Sequence, residues 1–226
     1  MKISSESELV KEFIKMYKKN DDVKIITELE TNFGRPDIVI LKINKNKLIT
    51  RRKSLYQTRF LRKYSYILSF LFGKGWVSVS TINNFFGLSK SEMMHTLETL
   101  MTMGLIDKKD NLVKSKPAKE LLVLNRLIVI EAKLSNWKYV IEQAERHLWF
   151  SKESSILLPR VSDNIIEKSS FKCRNRGVGL IVFDGKKNRE LVKVPNKGVI
   201  NTPLLWEINE KLVKGEIQFY GEEDIN

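Results

Sequence analysis

What the chain lacks narrows its chemistry first. It holds one cysteine, Cys173, so no disulfide can form within it. That single thiol and two distant histidines, His95 and His147, cannot build a structural zinc site. No apolar run approaches the roughly 18–20 residues that span a bilayer; the longest, at 127–130 and 178–183, are far shorter. The opening residues, Met1-Lys2-Ile3-Ser4-Ser5-Glu6, carry no apolar signal-peptide core. There is no Gly-rich phosphate loop, and no Ser, Cys or His arrangement suited to nucleophilic catalysis. These absences lead to the expectation of an intracellular, cytoplasmic protein with no membrane partner. They exclude a zinc finger.

What is present is positive charge. Among 226 residues, 40 are Lys or Arg and 27 are Asp or Glu, giving a formal net charge of +13. With 42% hydrophobic and 30% charged residues the composition is that of a folded globular chain. The length suits one large domain, or one domain carrying a second small one. The basic residues are not evenly spread. From Lys42 to Lys63 there are nine Lys or Arg, including Arg51, Arg52 and Lys53, and no acid. Cations that neutralise phosphates release condensed counterions, so such a block predicts a DNA-facing surface.

The apolar spacing gives the element order. Leu9, Val10, Phe13, Ile14 and Tyr17 form one helical stripe over residues 6–18, with Ser4 or Ser5 as cap. Short β-branched runs at 23–31 and 37–43 read as strands joined by the turn Asn32-Phe33-Gly34-Arg35-Pro36. Asn44-Lys45-Asn46-Lys47 reads as another turn. A long amphipathic helix is predicted over 55–72. A serine then caps a short helix ended by Gly87, and Ser89 caps a second helix over 90–103. An extended piece follows, with a hairpin tip at 107–111. This plan, with Thr81-Ile82-Asn83-Asn84-Phe85-Phe86-Gly87-Leu88-Ser89 and then Met103-Gly104-Leu105-Ile106-Asp107, resembles winged-helix DNA-binding domains. Lys90, at the start of the second helix, is the candidate DNA contact there.

With residues 47–118 set aside, the order becomes helix, three strands, helix, strand, helix, strand. Pro36-Asp37 falls at the start of the second strand, and Glu131-Ala132-Lys133 at the end of the third. Glu131 and Lys133 lie two apart on a strand, so both leave the same face. If the strand of Asp37 is adjacent, two carboxylates converge beside an amine, a donor set suited to Mg²⁺ or Mn²⁺. This layout resembles the PD-(D/E)XK nuclease superfamily of restriction endonucleases and Holliday-junction resolvases. The resemblance implies an α/β fold: a restriction-endonuclease-like core with a mixed central sheet flanked by helices, over 1–46 and 119–226. A winged-helix domain is inserted at 47–118.

The resemblance also implies an Mg²⁺-dependent endonuclease acting on DNA. Asp37, Glu131 and Ala132 would be metal ligands, Lys133 the catalytic cation, and Gln143 on the following helix a positioning residue. Gln143 and His147 share a face at i, i+4, although tyrosine is the commoner residue where His147 stands. Glu6 on the first helix would add an acid, with Glu8 and Glu12 as alternatives and Glu28 and Glu30 less favoured. Arg35 would touch phosphate. A homodimer follows if both strands are cut. Asp184-Gly185-Lys186, also at a strand end, is a competing motif. A non-catalytic DNA-binding regulator on the same scaffold is the alternative reading.

Overall fold

The computed structural model describes residues 3–17, 22–53, 58–195 and 198–221. Along the chain run α1 (Glu6–Met16), β1 (Val23–Thr27), β2 (Ile38–Ile43), α2 (Lys45–Lys53), α3 (Arg62–Leu71) and β3 (Val77–Ser78). Next come α4 (Val79–Phe86), α5 (Lys90–Thr102), β4 (Ile106–Lys109), β5 (Leu112–Ser115), α6 (Ala118–Leu121) and β6 (Leu124–Ala132). The chain continues with α7 (Trp137–Arg146), β7 (Glu153–Pro159), α8 (Asp163–Arg176), β8 (Gly179–Phe183), β9 (Asn188–Val192) and α9 (Pro203–Lys214). They divide into two compact units. The first takes residues 1–43, 124–200 and 218–226; the second takes 44–123 and 201–217.

The first unit is built on a mixed six-stranded sheet of order β1-β2-β6-β7-β8-β9. Strands β6, β7 and β8 run parallel, while β1, β2 and β9 pair antiparallel with their neighbours. Alternation then distributes side chains between two cores. On one face Leu9, Phe13 and Ile14 of α1 pack with Ile38, Ile40, Ile130 and Leu157. On the other, Val140, Ile141 and Ala144 of α7 and Cys173 of α8 pack with Ile156, Leu158 and Leu180. Burial pushes the Cys173 thiol up to about 12, so this cysteine is a small apolar filler rather than a nucleophile. Both faces being covered explains the near-continuous apolar run of β6 and β7.

The second unit carries a three-stranded antiparallel sheet, β3-β5-β4. Gly87 ends α4 in the left-handed conformation, at φ 63°, where a side chain would be strained. Two residues later Ser89 and Glu92 close a reciprocal capping box at the start of α5. Helix α9 belongs here as well. Its Trp206 is fully buried and meets Phe72 edge-on, with ring centroids 5.3 Å apart. Among the described residues no helix is long and apolar enough to cross a membrane.

Several expectations change. The inserted unit spans 44–123 rather than 47–118, and α9, assigned by sequence to the nuclease-like core, completes it. An amphipathic stripe shows that a helix buries one face, not which neighbour covers it. Residues 44–47 do not form a turn between strands. The side chain of Asn44 accepts the Lys47 N–H at 3.0 Å and opens α2, a helix with no buried residue. The helix expected over 55–72 begins only at Arg62, and residues 54–57 lie outside the described ones. Ser135 does not cap α7; Asn136, left-handed at φ 52°, precedes it without a side-chain cap.

Candidate active site

Asp37 and Glu131 meet because of strand register. β2 and β6 are antiparallel with Ile38 opposite Ile130, so one step further Asp37 stands opposite Glu131. Ile38, Ile40, Ile130 and Ala132 turn toward α1. Alternation therefore sends Asp37 and Glu131 out of the opposite face, toward α7. The Asp37 carboxylate accepts the Ala132 N–H at 2.6 Å, which fixes it at the strand end.

The electrostatics of this pair are unfavourable. Burial, outweighing the Ala132 N–H, pushes Asp37 up to about 7, and the charge of Glu131 and a hydrogen bond to it push the same way. Glu28 adds a smaller repulsion. It sits just beyond β1 with φ 54°, a strained conformation for a non-glycine residue. Glu131 itself is 4% exposed, and its Oε1 lies 2.5 Å from Nε2 of His147, which is 2% exposed. His147 is thus no mere packing residue. It opens a short 3₁₀ turn, His147–Trp149, and fixes one oxygen of Glu131.

Lys133 lies one residue past β6, its N–H still bonded to the Leu157 carbonyl of β7 at 3.0 Å. Its ammonium bonds Glu6 on α1 at 2.8 Å. That bond, more than the longer-range charges of Asp37 and Glu131, holds its pKa above the usual lysine value. The three first-helix acids differ in their partners. Glu8 accepts from Ser4 at 2.7 Å and Glu12 pairs with Lys15 at 2.5 Å, both locally. Only Glu6 of the three reaches the strand end.

Gln143 contributes an Oε1 that is buried without a hydrogen-bond partner. It lines a cavity of about 370 Å³ together with Glu131, His147, Arg146 and the turn residues Phe33 and Arg35. Arg35 pairs with Glu30 at the exposed rim. Among the described residues there is no group of three or more His, Cys, Asp or Glu that could hold a metal. The donor set is two facing carboxyls, an unpartnered amide oxygen and nearby main chain.

The competing motif has another job. Asp184 accepts the main-chain N–H groups of Lys186 and Lys187, both at 2.9 Å, and these turn bonds hold its pKa low. The basic block also resolves differently from expectation. Arg51 donates to both oxygens of the fully buried Glu210, at 2.9 and 3.2 Å, and to the Leu121 carbonyl at 2.6 Å. Arg52 donates to the Leu212 and Val213 carbonyls at the end of α9. Arg51 is thus committed to partners within its own unit, whereas Arg52, although bonded to the end of α9, stays exposed. Lys53 and Lys90 are exposed. Compared with known proteins, the chain matches no family model, no curated sequence and no solved structure.

Proposed function

We propose that the protein is a metal-dependent endonuclease that hydrolyses DNA phosphodiester bonds within the cell. Its first unit would be a PD-(D/E)XK-like catalytic core and its second a winged-helix module that holds duplex. The observation that carries this reading is the facing of Asp37 and Glu131 across the β2–β6 register, beside the Lys133–Glu6 pair. Mg²⁺ asks for one or two carboxylates and keeps several waters, so this donor set fits it, and Mn²⁺ equally. Burial, with the charge of Glu131 added to it, favours a proton on Asp37, and a bound cation would take that proton's place.

When bound, such a cation supplies charge for the scissile phosphate and acidity for an attacking water. The protein's own groups divide the remaining work. Asp37 and Glu131 hold the cation, with the Ala132 main chain beside them. His147 fixes the orientation of Glu131, as outer partners do for metal-binding side chains. Lys133, held by Glu6, neutralises charge that develops on the phosphate. Gln143, whose side chain lines the cavity beside Glu131, is the positioning residue. Arg35, Arg52, Lys53 and Lys90 are exposed and suited to phosphate contact, whereas Arg51 is half-buried and committed to Glu210. Each site cuts one strand, so cleavage of both calls for a homodimer.

The non-catalytic DNA-binding regulator keeps one observation in its favour, the lack of a third acid at the pair among the described residues. Incubation with linear duplex, single strand, four-way junction and RNA in Mg²⁺ or Mn²⁺ separates the readings. Nicks or breaks in DNA that vanish with Glu131→Ala support the nuclease. DNA binding without cleavage by the wild type overturns it in favour of the regulator.

A further inference from the structure

Beside the carboxylate pair lies the cavity of about 370 Å³ between the turn that precedes β2 and the end of α7. Its volume is at the small end of the range for ligand pockets. Glu131 forms part of one wall, so whatever enters lies next to the proposed cut. Phe33 at the turn is 49% exposed, a large apolar ring left in water. It is not loose: it packs on Trp149 with ring centroids 4.4 Å apart. Arg35 and Arg146 stand exposed at the rim. Deeper in, the Gln143 Oε1 and His147 Nδ1 are buried without partners. An aromatic platform and two rim arginines around one small cavity are the chemistry that holds a single nucleobase. The base stacks on the ring and the flanking phosphates meet the arginines.

We infer that this cavity takes one unstacked base of the substrate, so that the enzyme favours DNA with an unpaired nucleotide beside the cut over fully paired duplex. The inference rests on the nuclease reading for its substrate, and it names the class of DNA that reading leaves open. A base inside a duplex cannot reach the cavity without unstacking, which costs a few kcal/mol in paired DNA and less at a bulge, flap or mismatch.

The test measures binding rather than cleavage. Two duplexes of one sequence, one fully paired and one with 2-aminopurine as a single extrahelical nucleotide, are titrated with the full chain in Ca²⁺ buffer. The extrahelical probe should bind about tenfold tighter, within the range that base–aromatic stacking supplies, and its fluorescence should be quenched on binding. Phe33→Ala should reduce the preference to less than about twofold while leaving paired-duplex affinity nearly unchanged, and Phe33→Trp should keep it. Equal binding of the two duplexes by the wild type overturns the base pocket. So does an equal loss on both probes in Phe33→Ala. If the wild type cleaves DNA yet binds both duplexes equally, only the pocket falls. If it binds neither, the nuclease reading falls with it.

Discussion

Two buried clusters, one in each unit, treat their charged and polar groups in opposite ways. In the second unit, Glu210 is fully buried, but Arg51 donates to both of its oxygens and Asn209 bonds it at 2.9 Å. Asn209 also accepts the Val123 N–H at 2.8 Å and donates to the Leu121 carbonyl at 3.1 Å. In the first unit, two carboxyls face each other, Asp37 is pushed up to about 7, and the Gln143 Oε1 and His147 Nδ1 have no partner. A closed network joins α2 to α9 and defines a fold. An incomplete one stores a need that a ligand can meet. Between these two clusters the difference lies in how completely the buried groups are paired.

The comparison can be broken most severely at the open site. Glu131→Ala should lower Mg²⁺-dependent cleavage on the order of a thousandfold, since a metal ligand carries several kcal/mol of the barrier. DNA affinity measured in Ca²⁺ should change only a few-fold. Unchanged cleavage would move the chemistry elsewhere in the molecule.

Next comes the closed network. Arg51→Ala strands Glu210 in the interior and should cost about 3–5 kcal/mol in urea unfolding, the usual penalty for breaking a buried pair. A variant of wild-type stability that has lost DNA binding would return Arg51 to the nucleic-acid surface.

A third measurement separates the two regions by sign, because removing a charge from the open site should stabilise the fold. Asp37 in the folded protein holds its proton up to about pH 7, against an ordinary carboxyl value of 3.8. The folded state therefore binds more protons between those limits. Stability falls as pH rises through that window and is lowest above it. Asp37→Asn removes the penalty. Without divalent cations its melting temperature should exceed the wild type's by about 2–4 °C at pH 8, and the two should converge below pH 4. A destabilised variant at pH 8 would show that the carboxylate is satisfied after all. The smallest effect concerns the exposed cations. Lys53→Ala with Lys90→Ala should flatten the salt dependence of DNA binding, by about one unit of slope for each phosphate that is no longer neutralised. An unchanged slope would place the DNA path away from both lysines.

Much of the first unit was readable from local pattern. The order of its elements, the placement of Asp37 and Glu131 at strand ends, and the insertion between β2 and β6 all follow from apolar periodicity and short polar breaks. At Lys133 the pattern placed the residue but not its partner, the Glu6 carboxylate far earlier in the chain. The Glu131–His147 bond was half visible: helical spacing puts Gln143 and His147 on one side, but does not say what that side faces. Asp184 resembles a rival by sequence, yet its carboxylate is occupied by the Lys186 and Lys187 N–H groups. The basic block misled most. Clustered charge in sequence suggests a shared outer surface, yet Arg51 is drawn inward by Glu210, and Arg52, though exposed, is tied to the end of α9, partners that no local window contains.

The contribution of α9 to the second unit sets a folding schedule. Translation delivers the N-terminal part of a chain first, at about 5–20 residues per second. The segment 44–123 therefore emerges before β6, β7, β8 and β9, yet the helix that supplies Trp206 and Glu210 comes only after them. Until then Phe72 lacks its edge-on neighbour and Arg51 its counter-charge. The first unit has a matching delay, because β2 must wait for β6 across the insert. The two modules are interleaved in time as well as in sequence. The sheet of the first unit is complete in sequence at β9, so the second unit, which waits for α9, is the last to close.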